Sequence, residues 1–181
     1  MHELIRAYPL ATVVTESAKG LNANHIPLVL NDAPQPFGSL RGHIARVNPL
    51  FEDIAANKET LVIFHGPNAY ISPTWYASKQ QHGKVVPTWN YAVVHAYGRL
   101  QVMDDDNFLR EQLEDLTESR EAGFEKPWAV ADAPAEFTEK LMQSIVGVEM
   151  TITRLLGKWK VSQNQPEQNQ VSVIEGLVAQ N

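Results

Sequence analysis

At 181 residues, 44% of them apolar and 20% charged, the chain is long enough to fold as one globular domain with a full core. Its formal charge of −6, with 15 Lys and Arg scattered rather than blocked, argues against direct DNA binding, because that affinity comes from cations neutralising phosphates. The absence of Cys removes disulfides, thiolate nucleophiles and Cys-ligated metals. No apolar run approaches a membrane span and no secretory leader is visible, so a cytoplasmic protein without membrane attachment is expected.

In chain order, Met1 to Arg6 reads as the last turns of a helix whose beginning is missing. Leu10 to Thr15 is a strand, a turn follows around Lys19-Gly20, and Leu21 to Leu30 returns as one strand with Ile26, Leu28 and Leu30 on a shared face. A loop bearing Pro34 and Pro36 leads to a third strand, Ser39 to Arg46, which sets Leu40 and Ile44 against Arg41 and His43. Asn48-Pro49 opens a short helix over Leu50 to Asn57, a capping side chain followed by Pro in the first turn. Thr60 to His65 is a continuous apolar run suited to a central strand, and Gly66 to Gly83 reads as a long loop or hairpin.

The strand after Gly83 alternates most cleanly. Ala92, Val94, Ala96, Gly98, Leu100 and Val102 share one face, and the small residues among them imply that something bulky lies close against it. Asp104 to Asp106 start a helix running to about Thr117, with a stripe of Phe108, Leu109, Leu113 and Leu116. A further helix follows Asp132, and Val146 to Leu156 is the last strand, with Val148, Met150 and Ile152 inward. A weak helical piece near Val171 to Val178 ends the chain. About six mostly antiparallel strands with inserted helices point to an α+β barrel; an open antiparallel sheet covered by helices is the alternative.

Three segments carry chemistry. GHIARVNP (Gly42 to Pro49) runs off a strand into a helix start, where Arg46 and Asn48 could hold a phosphate; equally, Arg46 could pair with an acid and Asn48 cap the helix. GKVVPTWNY (Gly83 to Tyr91) and GKWKVSQN (Gly157 to Asn164) combine Lys, Trp and amides at strand ends. Together they offer aromatic planes, cations and amide hydrogen-bonders, the inventory that flavin mononucleotide (FMN) requires. His25, His43, His65 and His95 lack the short spacings of a zinc motif, so no metal site is expected. No phosphate loop, dinucleotide fingerprint or nucleophile elbow is present, and no catalytic residue is assigned.

GHIARVNP, LVIFHGPNAYISPTWY (Leu61 to Tyr76), GKVVPTWNYAVVHAYG (Gly83 to Gly98) and IVGVEMTITRLLGKWKVSQN (Ile145 to Asn164) together resemble, in order, the PaiB family, the FMN-binding negative transcriptional regulators. The similarity runs from about Ile5 to Leu177; it departs at the front, where family members usually carry an additional helical stretch. The resemblance implies an FMN-binding split barrel, a six-stranded antiparallel Greek-key β-barrel with flanking helices over residues 1–164, with a short-helix tail over 165–181. It also implies a homodimer with FMN as cofactor at the subunit interface.

The resemblance implies a ligand groove along the strand with His43 and Arg46, near Lys84 to Asn90 and Lys158 to Asn164; the candidate cofactor-binding residues in these regions are His43, Arg46, Asn48, Lys84, Thr88, Trp89, Asn90, Lys158 and Trp159. By their chemistry, Arg46 and Lys84 suit the phosphate, Trp89 or Trp159 the ring, and Asn90 and His43 its polar edges. A regulatory role exercised indirectly is the first expectation. A flavin-dependent oxidoreductase is the second and a haem-binding protein, through His65 or His95, the third.

Overall fold

The computed structural model describes residues 1–180. Its elements run α1 (His2–Ala7), β1 (Leu10–Ser17), β2 (Gly20–Pro27), β3 (Val29–Asn31), β4 (Ser39–Ala45), α2 (Leu50–Ala55), β5 (Thr60–Ile71), α3 (Lys79–His82), β6 (Thr88–Met103), α4 (Asp106–Glu121), α5 (Ala135–Met142), β7 (Ile145–Lys160) and α6 (Glu167–Val178). The strand order is β2-β1-β5-β6-β7-β4-β3. Two compact units emerge: the first holds Met1–Phe64 and Val94–Leu156, the second His65–Val93 and the segment from Gly157 onward. Strands β5, β6 and β7 contribute residues to both.

The first unit is the barrel of an α+β split-barrel fold. Among the described residues there are seven strands, not the six expected, because the single strand read over Leu21 to Leu30 is broken at Leu28. Pro27 has no N–H for the ladder, and the N–H of Leu28 leaves it to donate to the Pro9 carbonyl at 2.9 Å. The two halves then serve different neighbours: β2 pairs antiparallel with β1, and β3 with β4. Since β2 and β3 end the strand order at opposite edges, this one bent segment closes the ring. Gly42 on β4 permits the closure, since a Cβ there would lie 2.6 Å from the Leu28 side chain and 3.0 Å from the Pro27 carbonyl.

Period-two burial appears where the sequence places it. On β4, Leu40 and Ile44 are buried and Arg41 and His43 half-buried. On β7, Val148, Met150 and Ile152 point inward. The bulky neighbour implied for the small-residue face of β6 is Met150: a Cβ on Gly98 would fall 2.8 Å from its Cγ and 2.3 Å from the Thr151 carbonyl. Ile5, Val13, Leu28, Leu40, Phe64, Val94 and Met150 form the fully buried centre. Helix α4 is N-capped by Asp105, whose side chain accepts from the Phe108 N–H at 2.7 Å.

The second unit has its own small core of Ile71, Tyr76 and Val173, with Trp75, Val85 and Leu177 packed against it. Strand β5 continues to Ile71 into the region expected to be a long loop or hairpin, then turns through a 3₁₀ segment, Pro73–Trp75, and α3. Helix α6 begins at Glu167, four residues before the weak helical piece was expected. Among the described residues no helix is long and apolar enough to cross a membrane.

Candidate functional site

The second unit contains a cleft of about 550 Å³, lined by α3 and the loop after it, the start of β6, the end of β7 and the first turn of α6. Each wall has a local cause. Helix α3 ends at Gly83 in the left-handed region (φ 65°), a conformation that glycine adopts without steric cost. The reversed chain is held by Lys84, whose N–H donates to His82 Nδ1 at 3.0 Å. Lys84, Val85, Val86 and Pro87 follow as one wall.

At the start of β6, alternation turns Thr88 and Asn90 to the cleft and Trp89 away. The end of β7 meets them: Lys160 Nζ donates to Thr88 Oγ1. Asn90 Nδ2 donates to Ser162 Oγ at 3.0 Å, and that hydroxyl lies 3.1 Å from Asn90 Oδ1. Ser162 is buried with φ of 64°, a left-handed conformation that side chains other than Gly, Asn and Asp adopt at a cost. The side-chain pair with Asn90 holds it there.

The remaining wall is fixed by Asn169, which is 2% exposed. Its Oδ1 accepts from the Ser78 N–H at 3.0 Å, and its Nδ2 donates to Ser78 Oγ at 3.0 Å and Gln165 Oε1 at 3.1 Å. Tyr76 also faces the cleft; burial raises its phenol above the usual value, so it keeps its proton at neutral pH. Lys84 and Lys160, hydroxyl residues and several amides line a surface suited to an anionic, hydroxyl-rich ligand.

The structure thus brings Lys84, Thr88 and Asn90 together, and adds Lys160, Ser162, Tyr76 and Asn169 to them. Alternation could have separated Lys160 from Trp159 in the sequence. The Asn169–Ser78 pair, 91 residues apart, left no local signal. Trp89 and Trp159 are not among the cleft-lining residues; they are 54% and 42% exposed, and Trp89 packs edge-on to Tyr70 with centroids 5.9 Å apart. Lys158 is exposed and likewise outside the lining.

His43, Arg46 and Asn48 belong to the first unit, and each has protein partners there. His43 Nδ1 lies 2.7 Å from Gln112 Oε1. Its cross-strand neighbour is Gly147, against which the Phe108 ring packs too closely for any Cβ. The Arg46 fork pairs with both Asp104 oxygens, and its Nε donates to the Gln143 carbonyl at 3.1 Å. The hydrogen bond between them is the main influence raising Arg46 and lowering Asp104 from their ordinary values. Asn48 Oδ1 accepts from the Leu50 N–H at 2.9 Å, an Asx turn leading into α2, while its Nδ2 donates to Asn24. Among the described residues no set of three or more His, Asp or Glu gathers as metal ligands.

Residues 1–154 match the family described as "Putative FMN-binding domain". An uncharacterised protein of Emericella nidulans is 38% identical, over 98% of this chain and 84% of its own length. The protease synthase and sporulation protein PAI 2 of Bacillus subtilis is 34% identical, over 91% of this chain and 76% of its own. Among solved structures, the FAD and haem binding protein of Mycobacterium smegmatis has a TM-score of 0.66 at 17% identity, covering 97% of this chain and 76% of that one. That likeness speaks for the fold alone.

Proposed function

The chain belongs to the PaiB family of FMN-binding proteins, and from that membership we propose that the cleft of the second unit receives the phosphate and ribityl chain of its FMN. One observation carries the assignment: Lys84, Thr88, Asn90 and Lys160 converge on a single cleft of about 550 Å³, within the roughly 300–1,000 Å³ usual for small-molecule sites. Lys84 and Lys160 would hold the phosphate charge, Thr88 and Asn90 would supply hydroxyl and amide hydrogen bonds, and Tyr76 with Val85–Pro87 would line the apolar side of the cleft. Bound there, FMN supplies one- and two-electron redox chemistry. The protein's part is to bind it, orient it and exclude water.

Arg46 is not given the phosphate in this reading, because its fork is filled by Asp104. Trp89 and Trp159, exposed aromatic residues of the kind enriched at subunit contacts, fit a homodimer surface. We also infer that the protein acts in the cytoplasm and that any regulatory role is indirect, since the charge of −6 favours partner contact over operator binding. Hydrogen exchange with and without FMN tests the placement. Slowed exchange confined to residues 78–90 and 160–169 is expected; protection centred on residues 43–48 would instead return the cofactor to the Arg46 strand.

A further inference from the structure

We propose that a groove along the C-terminal half of α4 docks a basic amphipathic segment of a partner protein. The groove lies wholly within the first unit and is independent of the flavin assignment. Its volume is about 430 Å³, with Glu114, Glu118 and Glu121 on one side and Pro127, Trp128 and Val130 on the other.

The three carboxylates stand at i, i+4 and i+7, a single helix face about 10 Å long. Like charges at that spacing oppose helix formation, and among the described residues none of the three belongs to an ion pair. The opposite rim is set before any partner arrives. The Trp128 N–H donates to Glu121 Oε2 at 3.0 Å, and the Ala129 N–H to Asp132 Oδ2 at 2.9 Å. These bonds fix the backbone at Trp128 and Ala129 and leave 48% of Trp128 exposed, so the loop that carries the indole is set before binding.

The chemistry of the occupant follows from both sides. Three carboxylates repel nucleic acid, phosphate and acidic peptides, and attract Lys or Arg. The indole, proline and valine need apolar cover that a small hydrated cation does not provide. A helix with cations three and four residues apart and an apolar strip beside them meets both requirements; Trp128 is its anchor and also a cation–π partner.

The probe is a fluorescein-labelled amphipathic Lys–Leu peptide of about four turns, compared with its Glu-for-Lys counterpart and with spermine, each offered to the full chain. The Lys peptide is expected to bind in a salt-sensitive manner and to slow hydrogen exchange within residues 114–130. Glu118→Lys and Trp128→Ala are each expected to weaken it about tenfold or more. Should the Trp128 variant lose its fold, the paired exposed changes Glu114→Lys and Glu118→Lys carry the test. No binding by the Lys peptide, unchanged binding by these variants, equal binding of the Glu peptide, or protection of the same segment by spermine alone would each overturn the proposal.

Discussion

Asp53 is nearly buried, and its carboxylate accepts from Asn22 Nδ2 and Thr15 Oγ1, both at 2.9 Å. The Asn22 hydrogen bond is the strongest influence on its acidity; with Thr15 and others it outweighs burial and holds the group below the usual carboxylate range. A folded pKa lower than the unfolded value of about 3.9 gives stability that is present in full above that value and lost as pH falls through the folded one. Asp53→Asn should therefore cost about 1–3 kcal/mol near neutral pH. It should also flatten the fall in urea midpoint between about pH 5 and about pH 3 relative to the parent. Parallel curves for the two proteins would contradict this.

The same scale shows where sequence reading stops. The turn that Asn48 makes ahead of α2, through its bond to the Leu50 N–H, is local and legible. The choice of Arg46 between phosphate and carboxylate was not, because Asp104 arrives from 58 residues away. The stripe expected on α4 is displaced for a similar reason. Gln112 is 0% exposed whereas Leu113 and Leu116 are only half-buried, because His43, on a different element, gives the amide a polar partner. In the cleft, Lys84, Thr88 and Asn90 were visible as a motif, but the strain at Ser162 and its relief by Asn90 depend on β6 and β7 meeting.

Among the elements, α6 depends on one close approach. A Cβ on Gly176 would sit 2.5–2.8 Å from ring carbons of Trp75, so the helix can seat only with glycine there. Gly176→Val should unseat α6 from the second unit's core, cost about 1–3 kcal/mol as overpacking does, and expose the segment after Ser162 to limited proteolysis. A variant with the parent's cleavage pattern would show that Trp75 yields instead. Gly98→Val, where the Cβ would meet the Thr151 carbonyl at 2.3 Å, should disrupt the β6 and β7 stretches of the barrel and lower the melting temperature. The contact at Gly98 accounts for one of the small residues on β6 that the alternation marked. The break at Leu28 was hidden for the opposite reason: the pattern of Ile26, Leu28 and Leu30 is continuous, and only pairing partners on β1 and β4 reveal two strands.

At the level of the whole chain, the six-strand barrel expected from the family resemblance and the seven observed strands describe one ring, with the bent β2–β3 segment counted once or twice. The charge of −6 is a property of the molecule and not of the cleft, which Lys84 and Lys160 help to line. The most direct test of the flavin assignment is a fluorescence titration of the parent and of Lys84→Ala/Lys160→Ala with FMN and with riboflavin, which lacks the phosphate. FMN binding by the parent is expected to be tighter than riboflavin binding, and the double variant should lose about 1.5–3 kcal/mol of FMN affinity per removed charge-assisted contact while riboflavin is little changed. Equal FMN affinity in the two proteins would contradict the assignment and place the phosphate outside this cleft.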